Sequence, residues 1–197
     1  LGKYKILGST LDDALGEAFD KVAKMMNLGF PGGPEIEVMA LTGDDSWFNF
    51  PLPMINSKNC DMSFSGLKTA VKLKINELGV LSDQDICDIS ASFQKAVTNI
   101  IYKKTKFAIR KYEDIISQMN DVYDCKKTIV VAGGVAANQN IRSALNKVAL
   151  ENGYNFVAPP IKLCTDNAAM IAITAYYKFL ENDFADLDIT PSARAEW

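Results

Sequence analysis

Apolar positions along this chain follow two periods, one of a helix face and one of a buried strand. Ala14, Leu15, Ala18, Phe19, Val22, Ala23 and Met26 recur at helical spacing, with Asp13, Glu17, Asp20 and Lys24 as the polar ridge. The pattern predicts a helix capped by Ser9 or Thr10, with Asp12 and Asp13 at the positive end of its dipole. It is expected to stop between Asn27 and Gly29. Phe30-Pro-Gly-Gly-Pro34 is a turn signal, followed by a short helix over 35–40 and a loop at Gly43. Segments 48–51 and 62–64 read as short strands around a polar loop. Leu67, Ala70, Val71, Ile75 and Leu78 predict a helix over 66–78. Ile86, Ile89, Phe93, Val97, Ile100 and Ile101 mark a long helix over 83–111, continuing through Ile115, Ile116 and Met119 with or without a break.

The second half changes rhythm. Segment 127–132 carries a β-branched run that reads as a buried strand. Gly133 and Gly134 end it, and a helix starts near Asn138 or Gln139 and closes at Gly153. A further strand over 155–158 ends at Pro159 and Pro160, and a last helix covers 167–180. Two strand–turn–helix units imply an α/β fold with a buried parallel sheet. In such sheets ligands bind beyond the carboxyl ends of the strands. Those ends carry Gly133 to Asn138 on one side and Cys164-Thr165-Asp166-Asn167 on the other.

Composition narrows the chemistry. The 197 residues include no histidine, 21 basic and 24 acidic residues, for a net charge of −3. Without histidine there is no Ser-His-Asp or Cys-His nucleophile, no HExxH zinc helix and no Cys2His2 finger. Cys60, Cys87, Cys125 and Cys164 are widely spaced, with no CxxC pair, and read as reduced thiols of a cytoplasmic protein. No charged-then-apolar leader opens the sequence, and the apolar stretch 168–180 is too short to span a bilayer. Leu1 is not an initiator methionine, so the natural protein need not begin there.

Each candidate residue has a structural role and a chemical one. The glycine pair before Asn138 lets backbone N–H groups approach an anion or nucleoside, but also serves as a tight turn with Asn138 as N-cap. Spacing alone makes Asp166 an N-cap, although a carboxylate there could also hold a metal with partners. Asp20 reads as a surface pair with Lys24, or as a ligand of ribose hydroxyls. Gly32 and Gly33 suffice as a turn without any ligand. Lys103, Lys104, Lys106, Arg110 and Lys111 form a basic run that reads as a solvated helix face more readily than as a nucleic-acid contact.

Five blocks taken together resemble the TsaD family, the tRNA N6-adenosine threonylcarbamoyltransferases. They are Ser9-Thr-Leu-Asp-Asp-Ala-Leu-Gly-Glu-Ala-Phe-Asp-Lys21, Phe30-Pro-Gly-Gly-Pro34, Phe64-Ser-Gly-Leu-Lys-Thr-Ala-Val71, Val130-Val-Ala-Gly-Gly-Val-Ala-Ala-Asn138 and Pro159-Pro-Ile-Lys-Leu-Cys-Thr-Asp-Asn-Ala-Ala-Met170. The resemblance implies an α/β fold of the actin-like, sugar-kinase-like (ribonuclease H-like) class. It implies that 1–163 form the second lobe and 164–197 return to a mostly absent first lobe. It also implies transfer of threonylcarbamoyl from threonylcarbamoyl-AMP to N6 of the adenosine beside the anticodon. By resemblance Asp20, Gly33, Gly134 and Asn138 contact the nucleotide, and Asp166 is a ligand of one iron or zinc ion. The expected partners are tRNA, TsaB-like and TsaE-like proteins, and a separate N-terminal half. The family's other metal ligands, two histidines of an HxxxH motif, and its GGHT-type loop precede the point where this sequence begins. The chain alone is therefore expected to be inactive or nearly so, and to expose apolar surface on its last helix. A nucleotide-dependent kinase of the same fold class and a non-catalytic lobe that binds TsaB-like partners are the alternatives.

Overall fold

The computed structural model describes residues 4–118 and 127–190. Met119 and Cys125 lie outside them. Six α-helices and two strands follow in the order α1 (Leu15–Met25), α2 (Gly32–Ala40), α3 (Ser65–Leu78), α4 (Asp83–Ser117), β1 (Thr128–Val130), α5 (Gln139–Glu151), β2 (Asn155–Val157) and α6 (Ala168–Leu180). The strands pair in parallel, Ile129 opposite Phe156, with α5 connecting them. The mixed helix-and-sheet architecture with a small parallel sheet is that of an α/β protein.

The core lies between α1, α2, α3, α4 and α5. Phe19, Val22, Ile36, Phe64, Leu67, Val71, Phe93, Val97, Ile100 and Ile141 are buried in it. The Phe19 and Phe93 rings meet edge to face at 5.1 Å, fixing α1 against α4. Helix α4 runs unbroken for 35 residues, about 50 Å, so the segment continues through Ile115 and Ile116 without a break. Its start is a capping box: Ser82 Oγ accepts from the Asp85 amide, and Asp85 accepts from the Ser82 amide. A second small cluster of Ile109, Val148, Ala149 and Tyr154 joins the far part of α4 to α5.

Several local expectations are corrected. Neither Ser9 nor Thr10 caps α1, whose N-cap is Ala14 with no side-chain bond. Asp12 instead accepts from Ser63 Oγ and from the amides of Phe64 and Ser65 at the start of α3. Asp13 bridges Lys21 and Lys68. The acidic pair thus serves a helix about fifty residues away. Helix α2 begins at Gly32, so the Pro-Gly-Gly-Pro signal opens a helix rather than ending in a loop.

Segments 48–51 and 62–64 form no strands. The Phe48 amide donates to Ser92 Oγ on α4, and Pro51 and Pro53 have no N–H to give a ladder. Met62 makes only an isolated bridge with Thr10. Strand β1 is not buried: Val130 is 66% exposed. Among the described residues its only partner is β2. The basic run is not wholly solvated either. Lys104 is buried, donating to Ser57 Oγ at 2.6 Å and the Asn59 carbonyl at 3.0 Å.

Helix α6 has no buried residue. Ile171, Ile173, Tyr176, Phe179 and Leu180 all stand in solvent, as expected for that helix. No helix among the described residues is long and apolar enough to cross a membrane. Cys60, Cys87 and Cys164 are free thiols.

Candidate functional site

A cleft of about 390 Å³ brings together four of the residues singled out from sequence: Asp20, Gly33, Gly134 and Asn138. They come from three segments far apart in the chain. Helix α1 supplies Gly16, Phe19 and Asp20, and α2 supplies Gly33 and Glu37 with Pro31 before it. The turn after β1 supplies Gly134, Val135 and Ala137, with Asn138 at the start of α5. Thr165 closes one side. Two larger openings, each of about 590 Å³, contain none of the four.

Asp20 makes no pair with Lys24. Its Oδ1 accepts from the Gly32 amide at 2.7 Å, satisfying one of the N–H groups that open α2. The bond needs α2 to begin directly over α1. A Cβ on Gly32 would lie 2.6 Å from Ala23 Cβ and 2.7 Å from Asp20 Cα, so only glycine fits. Gly33 is different, because a Cβ there would meet nothing within 4 Å. The first glycine packs two helices, and the second leaves room in the cleft.

The same division holds across the cleft. Gly133 sits at φ +89°, a conformation that strains other residues, and starts the 3-10 turn Gly134–Ala137. Gly134 again faces open space. The tight turn expected between strand and helix thus takes a 3-10 form.

Asn138 has the capping role that its position suggested: Oδ1 accepts from the Ile141 amide at 3.0 Å. Its Nδ2 donates to Gln94 Oε1 at 2.7 Å. Both residues are buried, Asn138 with 7% exposure. The bond assigns the amide orientation and leaves one N–H of Nδ2 for another acceptor.

Two residues escaped the sequence reading. Glu37 lines the cleft and accepts from the Gln139 amide at 2.7 Å, linking α2 to the start of α5. It lies four residues after Gly33, on the same helix face, and that spacing could have identified it. Gln94 looked like an ordinary polar position of α4, and nothing in its local pattern marks it.

Asp166 is exposed and is not the cap of α6. That role belongs to Asn167, whose Oδ1 accepts from the Met170 amide. The structural explanation favoured by spacing is therefore withdrawn for Asp166. It follows Thr165 of the cleft wall, at the end of the turn that leaves β2. Among the described residues no group of three or more His, Cys, Asp or Glu side chains could hold a metal ion. One exposed carboxylate does not make a site for iron or zinc, so a metal here needs donors from elsewhere.

The cleft's chemistry is selective. Phe19, Pro31, Val135 and Ala137 give apolar walls of the kind that hold a ring. Asp20 and Glu37 offer carboxylate acceptors to hydroxyl groups, and glycine backbones allow close approach. Among the described residues no lysine or arginine lines it. Such a site suits a nucleoside or a monophosphate ester better than a triphosphate chain, which calls for cationic clamps.

Comparison with known proteins identifies the family of this chain. The family model for TsaD, tRNA N6-adenosine threonylcarbamoyltransferase, matches residues 1–173. The proteins of that name from Rickettsia massiliae (strain Mtu5) and Rickettsia canadensis (strain McKiel) are 54% and 53% identical to this chain over 194 residues. The Rickettsia bellii (strain OSU 85-389) protein is 50% identical over the same length. These alignments cover 98% of this chain and 55% of each relative, so the chain spans about half their length. It corresponds to their C-terminal part. The match over most of its residues shows that this chain belongs to the TsaD family of tRNA N6-adenosine threonylcarbamoyltransferases.

Proposed function

We propose that this chain is the adenylate-binding C-terminal part of a threonylcarbamoyl transferase. The assembly of Asp20, Gly33, Gly134 and Asn138 in one cleft carries the reading. In it, the apolar walls hold the adenine of threonylcarbamoyl-AMP, and the carboxylates of Asp20 and Glu37 accept from the ribose hydroxyls. The open backbone at Gly33 and Gly134 lets the sugar–phosphate lie close. N6 of the adenosine beside the anticodon of a bound tRNA then attacks the carbamoyl carbonyl, the bond to the phosphate oxygen breaks, and AMP and the amine proton leave. The architecture belongs to the second lobe of an actin-like fold over 1–163, with 164–197 returning toward the first lobe.

The family's iron or zinc fits this chain only in part. Asp166 would be one ligand, and the others would come from an N-terminal half carrying the HxxxH motif. TsaB-like and TsaE-like proteins would complete a cytoplasmic assembly. The carboxylates of Asp20 and Glu37 in the cleft support the adenylate reading over the kinase alternative. A non-catalytic lobe would bind a partner but no adenylate.

Calorimetry with AMP separates these readings. The chain is expected to bind AMP, and Asp20→Asn to weaken binding by about tenfold, equivalent to roughly 1.4 kcal/mol. The variant keeps an oxygen for the Gly32 amide, so the loss reports the charge. Complex formation with a TsaB-like protein and no AMP binding would favour the non-catalytic lobe.

A further inference from the structure

The two strand ends that frame the cleft are tied together by one side chain. Arg142, on the first turn of α5, donates through Nε to the Ala136 carbonyl of the 3-10 turn. Its Nη2 donates to the Pro159 carbonyl at 2.6 Å and to Cys164 Sγ at 3.1 Å. Ala136 is two residues from both Gly134 and Asn138. Pro159 and Cys164 bound the segment that ends in Thr165 and Asp166. Cys164 is 3% exposed, and its thiol faces the Pro160 carbonyl at 3.6 Å.

The guanidinium makes no salt bridge among the described residues. All its contacts above are to neutral acceptors of two loops. A planar fork of fixed N–H directions sets the separation of the groups it joins. A lysine ammonium in this place can reach one acceptor set but cannot hold the same two-sided geometry.

We propose that Arg142 is a positioning residue that fixes the Asp166-bearing turn against the Asn138 wall and so sets the width of the nucleotide cleft. The inference rests on the adenylate reading of that cleft. Arg142 itself is absent from the cleft wall, so it acts through Ala136, Pro159 and Cys164. Without it the two turns separate, and the groups that must contact one ligand lose their common register.

The test uses the intact chain, AMP as probe, and the variants Arg142→Ala, Arg142→Lys and Ile109→Val. Ile109 belongs to the small cluster between α4 and α5 and does not line the cleft, so its variant controls for lost stability. Calorimetry reads AMP affinity, thermal melting reads stability, and peptide-resolved maleimide labelling reads the accessibility of Cys164. Both Arg142 variants are expected to weaken AMP binding by about tenfold and to speed Cys164 labelling by about tenfold. Ile109→Val is expected to lower the melting temperature with neither effect. Unchanged AMP affinity in Arg142→Ala would overturn the proposal, as would full rescue by lysine or an equal loss in Ile109→Val. If the unaltered chain binds no AMP, the adenylate reading fails and with it the link to cleft width. Cys164 labelling then still decides the clamp, and unchanged labelling in Arg142→Ala would show that no clamp exists.

Discussion

Asn138 shows how one side chain serves both fold and site. Its oxygen caps α5 and its amide nitrogen holds Gln94 of α4, while the residue borders the cleft. Replacing it with alanine removes the cap and leaves Gln94 Oε1 buried without that donor. The expected cost is about 2–3 kcal/mol, read as a lower denaturant midpoint. Asn138→Asp keeps the capping oxygen but loses the donor to Gln94, and is expected to recover only part of the stability. The capping role was legible from sequence, because it depends on the next three residues. The bond to Gln94 was not, because it spans forty-four positions. Asp20 is the same case: the ridge with Lys24 is local, whereas the contact that forms is with Gly32 across a helix–helix junction.

At the scale of elements, the long periodic helices were the most readable. Helices α3, α4 and α5 fall where their apolar spacing places them, within a residue or a few of the expected ends. The errors gather where an end is stabilised from a distance. Asp12 and Asp13 look like the first turn of α1, yet they join that region to the start of α3. Asp12→Ala is expected to destabilise the chain by about 1 kcal/mol, as loss of an N-cap does, with a matching fall in melting temperature.

The same region is acid-sensitive. Burial opposes the Asp12 charge, but bonds from Ser63, Phe64 and Ser65 outweigh it and hold its pKa below the ordinary value. Bonds from Lys21 and then Lys68 lower that of Asp13. Lowered folded-state values mean that this stabilisation is complete above the unfolded pKa of 3.8 and is lost as pH falls through the folded values. Melting temperature should therefore decline below about pH 4. Asp13→Asn should flatten that decline, and an unchanged acid profile would contradict the assignment.

At the scale of the whole molecule, the outer edge of β1 and the apolar face of α6 lack a partner among the described residues. The Asn155 amide bonds the Lys127 carbonyl, and the Val131 amide bonds the Val157 carbonyl. In a parallel ladder this alternation turns the N–H and C=O groups of Thr128 and Val130 away from β2. Val130 lines an apolar groove of about 590 Å³ that also contains Leu7, Ile101 and Leu145. An open edge beside apolar walls is suited to another strand. The N-terminal part of a Rickettsia relative is the natural occupant to test. Its addition is expected to slow hydrogen exchange at Thr128 and Val130, and Val130→Pro to prevent the complex while leaving the β2 ladder intact. Exchange protection confined to α6 would place the contact elsewhere. The expectation of a buried sheet failed here for a whole-molecule reason: β1 has the composition of a central strand but, among the described residues, only one neighbour.

In the proposed function this chain supplies half of a transferase site. Mixing the chain with the N-terminal part of the Rickettsia massiliae relative, iron or zinc, threonylcarbamoyl-AMP and tRNA puts that to the test. Threonylcarbamoyladenosine in the tRNA is then measured by mass spectrometry. Product is expected only when both parts are present, and is expected to be lost in Asp166→Ala. A stable complex of the two parts that yields no product, or equal product from Asp166→Ala, would overturn the proposal.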